Sequence, residues 1–306
     1  MKLIVYGAGA IGSVFGGYLS GNDVLLIAKG RHFRSIKDKG LKIVDESAGT
    51  TRVLSVNAED HIAAEDISED TLILLTMKAQ DISDSVSSIK DIVKKDTLIV
   101  CMQNGWKIED MAKKAIEGKC RILRAVTRVG AYLEPGIAYY TGRGTTIIEK
   151  SDRSDLIKKL FENAGFETEI TDDIDKAVFK KVIINCAVNS LTALLGERNR
   201  VLLKVKNKNI MEAIVDEALK VGEKMGFVYE EDLMAEINKA VIKTATNKSS
   251  TLQDLERGKS TEIDYLNGMI VDAGNKYNIP TPVNALIVQL IKANEKGDPI
   301  GCRNRD

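Results

Sequence analysis

The first twelve residues, MKLIVYGAGAIG, constrain the fold of this chain more than any other segment. The apolar run Leu3–Tyr6 predicts a buried strand, and glycine follows at positions 7, 9 and 12, before an apolar helical stretch. In a strand–turn–helix unit, such glycines permit a tight turn, close approach of a pyrophosphate, and packing of the helix against the sheet. The free N–H groups at the start of the helix favour phosphate. The pattern predicts a dinucleotide site, or alternatively a turn that only packs a βα unit, at Gly7, Ala8, Gly9, Ala10, Ile11 and Gly12.

The rest of the chain divides into two parts by its pattern of elements. Up to about residue 170, apolar strand-like runs alternate with helical segments, which is typical of a mainly parallel, doubly wound sheet. From residue 171 the signals are helical almost to the end. We therefore predict an α/β Rossmann N-terminal domain over 1–170, an all-α C-terminal domain over 171–306, and a functional cleft between them.

Several local features refine this division. The segment 131–146, with Pro135-Gly136 at its centre, predicts a β-hairpin near the end of the first domain. Thr171 and Thr261 are predicted helix N-caps, and 247–258 is predicted to interrupt the helices. The polar end, 295–306, is expected to fray.

Composition limits the classes of function. The chain has 306 residues, 44% of them hydrophobic and 29% charged, with a formal net charge of zero. Nothing in the bulk charge favours nucleic acid or an anionic membrane as a partner. No apolar run approaches the ~20 residues of a membrane span, and the chain starts in a strand rather than a signal peptide. We expect a cytoplasmic protein.

Cysteine and histidine give no sign of a metal site. The four cysteines lack CxxC or metal-like spacing, so neither disulfides nor a metal is expected. Both histidines lie in polar stretches, where we expect them at the surface without partners. These six residues are Cys101, Cys120, Cys186, Cys302, His32 and His61.

The end of the second predicted strand bears on the choice of nucleotide. An acidic residue there binds the ribose hydroxyls of NAD, whereas a basic residue accommodates the 2′-phosphate of NADP. The sequence after this strand has no acid but has Lys29 and Arg31. Two such bases can clamp a phosphate, although loop bases are also common on solvated surfaces. The pattern favours NADP over NAD, and FAD less than either.

A second informative segment is KKVIINCAVNSLT, from Lys180. Lys181, Asn185 and Asn189 are four residues apart and therefore project from one helical face. The residues between them are almost wholly apolar, so these polar groups need partners or a cleft. Satisfied core amides are the alternative for each asparagine, but the three together favour a site.

These segments together resemble the ketopantoate reductase family, and the resemblance covers nearly the whole chain. Its motifs are the N-terminal glycine-rich turn, TMKAQD, Gln103-Asn104-Gly105, GAYLEPGIAYYTGRG, KVIINCAVNSLTALLG, SSTLQDLERGKSTEIDYLNG and IPTPVN. Members of this family reduce ketopantoate to D-pantoate with NADPH, in pantothenate and coenzyme A biosynthesis. The resemblance implies the same reaction here, with NAD as a possible cofactor. We expect a monomer or a homodimer, because an all-helical second domain often forms dimers.

The resemblance also implies roles for single residues. Lys181 matches the catalytic lysine, which polarises and protonates the keto oxygen. Asn185, Asn189 and Ser250 match positions that bind the substrate. Glu262 matches an acid at the substrate hydroxyl and the cofactor. The remaining two matches are Asn104, expected to contact both cofactor and substrate, and Lys78, expected near the nicotinamide half of the cofactor.

The chain departs from the family pattern at a few positions. Lys29 replaces a frequent arginine, Ser190 replaces the proline of Asn-Pro-Leu, and Arg200 replaces a glycine that often follows the loop asparagine. The change at Ser190 does not remove a catalytic group, Arg31 is expected to compensate for the change at Lys29, and Arg200 is expected to alter the loop over the cleft. Two alternatives stay open: a reductase of another branched 2-keto acid, and a non-catalytic NADP-binding sensor.

Overall fold

The computed structural model describes residues 1–295, which form two compact units. The first is Met1–Ala177, and the second begins at Val178. The division falls in the first turn of a long helix, seven residues after the predicted boundary at 170/171, because that turn packs with the first unit. Of the predicted frayed end, 296–306 lies outside the described residues.

Within residues 1–295, every strand belongs to the first unit. In chain order they are β1 (Leu3–Tyr6), β2 (Val24–Ile27), β3 (Leu41–Asp45), β4 (Thr50–Leu54), β5 (Asn57–Glu59), β6 (Leu72–Leu75), β7 (Leu98–Cys101), β8 (Arg121–Thr127), β9 (Gly130–Glu134), β10 (Ile137–Gly142), β11 (Thr146–Glu149) and β12 (Thr168–Thr171).

Among residues 1–295, five α-helices precede the boundary between the units and six cross or follow it. They are α1 (Ala10–Tyr18), α2 (Gly30–Lys39), α3 (Ile82–Ile89), α4 (Ile108–Ile116), α5 (Ser154–Asn163), α6 (Ile174–Leu195), α7 (Val205–Lys224), α8 (Leu233–Lys243), α9 (Ser250–Glu256), α10 (Asn267–Tyr277) and α11 (Pro282–Asn294).

The main sheet of the first unit has the order β12-β11-β8-β7-β6-β1-β2-β5. Every pairing from β5 to β8 is parallel, and β11 is antiparallel to β8. The chain moves outward from β1 first through β2 and β5, then through β6, β7 and β8. This reversal of strand order beside β1 is the switch point at which α/β sheets bind ligands. The α/β Rossmann fold and the all-α second domain predicted from the sequence are confirmed.

A second, four-stranded sheet was not predicted. Its order is β4-β3-β10-β9, so the predicted hairpin pairs with strands from the region after α2. β4 reads TTRVL and is largely exposed, so it lacks the apolar pattern that marks a strand in sequence. The missed elements α2, β3, β4 and β5 lie between residues 30 and 59.

The second unit is helical, and α6 enters its core. By length and composition α6 could cross a membrane, which differs from the expectation drawn from the sequence. However, 67% of its most apolar window is buried inside the protein, as in a core helix. Phe179 is fully buried and stacks on Phe227, with ring centroids 5.1 Å apart.

Three predictions about where helices begin were wrong. The N-cap of α6 is Asp173, whose side chain accepts from the N–H of Lys176 at 3.0 Å, while Thr171 only accepts from the N–H of Asp173. Thr261 precedes a short 3-10 turn, Ile263–Tyr265, rather than capping a long helix. The segment predicted as a break contains α9, because Ser249 caps it by accepting from Leu252 N–H.

Candidate functional site

The predicted cofactor residues follow four neighbouring parallel strands. The last residues of β1, β2, β6 and β7 are in register, through the pairs Tyr6–Ile27, Tyr6–Leu75 and Leu75–Cys101. Parallel strands end at the same edge of a sheet, so the segments after them lie side by side. The glycine-rich turn, Lys29, Lys78 and Asn104 therefore share the carboxyl edge at the switch point.

The three glycines of the turn differ in the space around them. Gly7 has φ +96°, and a Cβ there would lie 2.4 Å from the backbone nitrogen of Met77. A Cβ on Gly12 would lie 2.4 Å from Thr76 Oγ1 and 2.6 Å from the carbonyl oxygen of Gly7. At Gly9 the nearest atom would be 3.9 Å away. The turn is therefore closely packed on the protein side and open at Gly9, as a pyrophosphate requires.

Helix α1 begins directly at this turn. Its N-cap is Gly9, and its first intrahelical bond is donated by Ser13 N–H to the Gly9 carbonyl. The N–H groups of the first three helical residues have no acceptor within the helix, and the first turn contains no acidic residue. The helix dipole and these donors favour an anion at this position. These features fit the diphosphate of a dinucleotide.

Hydrogen bonds fix the turn from both sides. The N–H of Ala8 donates to the Ile27 carbonyl at 2.7 Å, which ties the turn to β2. The hydroxyl of Thr76 donates to the Gly7 carbonyl at 2.8 Å, which ties it to the loop after β6. Ser13, fully buried on α1, donates through its hydroxyl to the Ala8 carbonyl at 3.1 Å. Neither Thr76 nor Ser13 was predicted from the sequence.

The two predicted phosphate-binding bases lie at the start of α2. Lys29 is the N-cap of this helix and Arg31 is in its first turn, both exposed, with no acidic residue in that turn. The helix adds free N–H groups beside the two positive charges. This arrangement is suited to a 2′-phosphate.

Asn104 lies in a loop held by a buried arginine. The guanidinium of Arg124, 1% exposed, donates to the carbonyls of Gln103 at 2.7 Å and Gly105 at 3.0 Å, on either side of Asn104. It also donates to two strand carbonyls and pairs with the buried Glu109 carboxylate at 3.3 Å. Sequence reasoning missed this arginine, because no local pattern marks a charged residue inside a strand as a loop anchor.

The predicted substrate residues begin on α6. Lys181 and Asn185 are half-buried, and Asn189 is 8% exposed. The neighbouring Lys180 forms ion pairs with Glu231, at 2.7 Å, and Glu236. Partial burial lowers the pKa of Lys180, but hydrogen bonds to these carboxylates outweigh it and raise the pKa above its ordinary value. Lys180 therefore links α6 to α8 and to the segment just before α8.

The structure brings Asn189 and Ser250 together. The Asn189 amide donates to the Ser250 hydroxyl at 3.2 Å, which joins α6 to the first residue of α9. Beside this pair, the buried Ser249 accepts from Thr192 Oγ1 at 2.7 Å. Glu262 is half-buried at the start of the short turn before α10.

A buried polar network connects α6 to three other helices of the second unit. Asn267 donates to the Cys186 carbonyl at 3.3 Å and to Asn284 Oδ1 at 2.9 Å. Asn284 donates in turn to the Glu217 carboxylate, which also accepts backbone N–H groups at the start of α11. Ser190 donates to the same Cys186 carbonyl. These side chains cross-link α6, α7, α10 and α11 within the second unit.

Comparison with known proteins identifies the family. The sequence profile of ketopantoate reductase PanE/ApbA matches residues 3–153, and that of its C-terminal domain matches residues 173–295. The chain belongs to the ketopantoate reductase family. The 2-dehydropantoate 2-reductase of Pyrococcus horikoshii is 36% identical over 307 residues, covering 96% of this chain and 98% of the relative. That of Archaeoglobus fulgidus is 34% identical, covering 97% and 98%.

Solved structures agree with this membership. A PanE/ApbA family ketopantoate reductase from Ralstonia eutropha has a TM-score of 0.88 at 30% identity, covering 96% of this chain and 98% of that one. D-Mandelate dehydrogenase, solved with NADH and anilino(oxo)acetate, has a TM-score of 0.88 at 28% identity with the same coverage. The cofactor in that complex, NADH, is a nicotinamide dinucleotide.

Both histidines have hydrogen-bond partners in the structure. His32 is buried and hydrogen-bonded, and His61 is exposed but bonded to Asp60 at 2.7 Å, so the expectation that both lack partners was wrong.

Cys101, Cys120 and Cys186 are free thiols whose burial raises their pKa, to about 12 for Cys101 and about 11 for Cys120. They are therefore protonated at neutral pH. Cys302 lies outside the described residues, and among residues 1–295 no His, Cys, Asp and Glu cluster is suited to a metal ion.

Proposed function

We propose that this protein reduces 2-dehydropantoate (ketopantoate) to D-pantoate with NADPH, in the pathway to pantothenate and coenzyme A. The observation that carries the proposal is the arrangement on α6. Lys181, Asn185 and Asn189 follow one another at four-residue intervals, and Asn189 contacts Ser250. An ammonium, two amides and a hydroxyl are the groups that a 2-keto acid with a hydroxyl needs for polarisation and binding. Membership in the ketopantoate reductase family supports the same assignment.

The reaction adds a hydride and a proton across the keto group. A nicotinamide dinucleotide held by the glycine-rich turn would supply the hydride for the new C–H bond at the 2-keto carbon. The Lys181 ammonium hydrogen-bonds to the keto oxygen, stabilises the negative charge that develops there, and donates the proton that completes the hydroxyl. Lys181 then regains a proton from solvent.

The other side chains bind and orient. Asn185, Asn189 and Ser250 hold the hydroxyl and carboxylate of the substrate. Glu262 accepts from the substrate hydroxyl. Asn104 and Lys78 lie at the carboxyl edge of the sheet, where they contact the nicotinamide half of the cofactor.

NADPH is the proposed cofactor because two bases, rather than an acid, lie at the start of α2. Lys29 and Arg31 together with the helix N–H groups provide charge-assisted donors for the 2′-phosphate. NADH remains the alternative, since the related D-mandelate dehydrogenase was solved with NADH.

A different 2-keto acid is the second candidate substrate. D-Mandelate dehydrogenase matches nearly the whole chain, and its complex contains anilino(oxo)acetate. A panel of branched and aromatic 2-keto acids, assayed beside ketopantoate, decides between them through kcat/KM. A non-catalytic sensor on the same fold would bind NADP but turn over none of the panel.

The test of the mechanism uses two adjacent lysines. NADPH oxidation is followed at saturating ketopantoate for wild type, Lys181→Ala and Lys180→Ala. Loss of a general acid lowers kcat by about a hundredfold or more, which is expected for Lys181→Ala only. Lys180→Ala removes ion pairs to Glu231 and Glu236, so it is expected to lower the melting temperature and keep kcat. Wild-type turnover by Lys181→Ala would overturn the assignment.

Assembly and location complete the proposal. The protein is a monomer or homodimer that acts in the cytoplasm on a small molecule, without nucleic acid or membrane as a partner. The formal net charge of zero supports the part of the proposal that excludes nucleic acid and an anionic membrane as partners. Gel filtration with light scattering at several protein concentrations distinguishes the two assemblies.

A further inference from the structure

A chain of three hydrogen bonds links the glycine-rich turn to the hairpin of the small sheet. The N–H of Gly136, in the turn between β9 and β10, donates to Nδ1 of His32 at 2.9 Å. Nε2 of the same imidazole lies 2.9 Å from the Ser13 hydroxyl. That hydroxyl donates to the carbonyl of Ala8, between Gly7 and Gly9.

One protonation state satisfies all three bonds. Nδ1 accepts from a backbone N–H and therefore has no proton, so the neutral ring has its proton on Nε2. The Nε2–H donates to the Ser13 oxygen, whose own proton is then directed to the Ala8 carbonyl. Burial lowers the pKa of His32, in agreement with a neutral ring. Ser13 is fully buried and His32 is 8% exposed, so each donor or acceptor left unpaired would be desolvated without compensation.

The linked groups belong to three parts of the first unit: the glycine-rich turn, α2 and the hairpin of the small sheet. Ala8 is part of the turn that would hold the diphosphate. His32 lies in the first turn of α2, the helix whose N-cap is Lys29 and which bears Arg31. Gly136 has φ +81°, and a Cβ there would lie 2.8 Å from Cβ of Ser35 on the same helix. The hairpin therefore rests on α2, and the imidazole connects it to the turn.

We propose that Ser13 and His32 are positioning residues for the dinucleotide. They hold the Ala8 carbonyl away from the diphosphate and keep the free N–H groups at the start of α1 directed toward it, without touching substrate. This inference rests on the proposed binding of NADP(H). The role explains why Ser13 and His32 are buried together although the other buried residues of α1 are glycine or apolar.

The first test compares two buried serines. Ser13→Ala removes the middle of the chain, and we expect Kd for NADPH, measured by the fluorescence of the bound cofactor, to rise about fivefold to tenfold, the effect of one hydrogen bond. The matched control is Ser154→Ala: Ser154 is also buried in the first turn of a helix and donates to a carbonyl five residues earlier, that of Glu149. This variant is expected to lose stability and to keep Kd.

The effect of Ser13→Ala should not depend on the 2′-phosphate. Because the turn holds the diphosphate, Kd for NADH is expected to rise by the same factor as Kd for NADPH. Lys29→Met provides the contrast, since it is expected to weaken NADPH and leave NADH unchanged. For Ser13→Ala, kcat at saturating NADPH and KM for ketopantoate are expected to remain at wild-type values.

Two substitutions of His32 separate its two bonds. An asparagine oxygen can replace the Nδ1 acceptor, and a glutamine nitrogen can replace the Nε2 donor. His32→Gln should therefore bind NADPH more tightly than His32→Asn, and in a Ser13→Ala background this difference should vanish. His61→Gln, at the exposed histidine, is the matched control and should match wild type.

The outcomes separate this inference from the proposed function. Unchanged Kd in Ser13→Ala, or a loss of stability alone, overturns the positioning role while NADPH binding by wild type still supports the function. No binding of either dinucleotide by wild type overturns both. Independently of any cofactor, 15N NMR of the imidazole should show a neutral ring protonated at Nε2, and protonation at Nδ1 would contradict the chain of bonds.

Discussion

At the scale of single residues, Gly9 and Gly12 of the glycine-rich turn have separable roles. A Cβ on Gly12 would contact Thr76 Oγ1 at 2.4 Å and the Gly7 carbonyl at 2.6 Å, whereas Gly9 has open space. We expect Gly12→Ala to lower the free energy of unfolding by about 1–3 kcal/mol, the usual cost of overpacking. Gly9→Ala should leave stability near wild type but weaken NADPH binding, because its Cβ occupies the space that the diphosphate needs.

Chemical denaturation and cofactor titration of the two glycine variants check this prediction. Normal NADPH affinity in Gly9→Ala would show that the open side of the turn is not where the diphosphate binds. An undiminished free energy of unfolding in Gly12→Ala would show that Thr76 can move aside at no cost.

What could be predicted for single residues depended on how local their partners are. The glycines were predicted because their roles follow from backbone geometry within six residues. His32 was not, because its partners are 19 and 104 residues away in the chain. Arg124 was missed for the same reason, since its acceptors Gln103 and Gly105 belong to another strand's loop. A contact formed only by folding leaves no pattern in sequence.

At the scale of elements, α9 matters because it presents Ser250. Its cap, Ser249, accepts from Leu252 N–H and is bonded to Thr192 on α6. Ser249→Ala should cost about 1 kcal/mol of stability, as loss of a cap does, and raise KM for ketopantoate because Ser250 moves with its helix. The matched control is Asp232→Ala, which removes the cap of α8, a helix that bears no predicted site residue.

The two cap variants are compared by thermal unfolding and steady-state kinetics. Both should lose stability to a similar extent, but only Ser249→Ala should show a raised KM. An equal rise of KM in both would mean that α9 has no special part in binding the keto acid.

The loop after β7 depends on an ion pair that can be removed in two ways. Arg124→Met leaves the Glu109 carboxylate buried without its partner, which should cost about 3–5 kcal/mol of stability. Arg124→Met combined with Glu109→Leu removes both charges and should recover part of that loss, although the carbonyls around Asn104 still lack their donors. Urea denaturation measures both effects, and a double variant less stable than the single one would contradict them.

Elements were predicted where periodicity was strong and missed where it was weak. α6 was predicted with the bounds Ile174–Leu195 because its apolar run is long. β4 was missed because its residues are mostly exposed and polar, so its strand conformation comes from pairing with β3 rather than from its own pattern. α9 has only seven residues, and its serine-rich start is equally typical of a loop.

At the scale of the whole molecule, the two histidines make stability respond to pH in opposite directions. Burial lowers the pKa of His32, so the unfolded chain binds protons first and stability falls as pH drops below about 6.5. A hydrogen bond to Asp60 raises the pKa of His61, so its contribution is present at low pH and is lost as pH rises through its folded pKa. His61 is exposed, and salt screens its ion pair.

We therefore expect His32 to dominate the pH dependence of the first unit at high salt. In about 0.5 M salt, the free energy of unfolding should be greater at about pH 7.5 than at about pH 5.5, because only the buried histidine remains unscreened. Trp106, the one tryptophan of the sequence, lies in Met1–Ala177 and reports on that unit by its fluorescence. His32→Asn should reduce this difference and His61→Gln should preserve it. The same pH dependence in His32→Asn and in wild type would contradict this prediction. It would mean that the hydrogen bonds through Ser13 tolerate a charged imidazole, so the turn would not depend on the neutral ring.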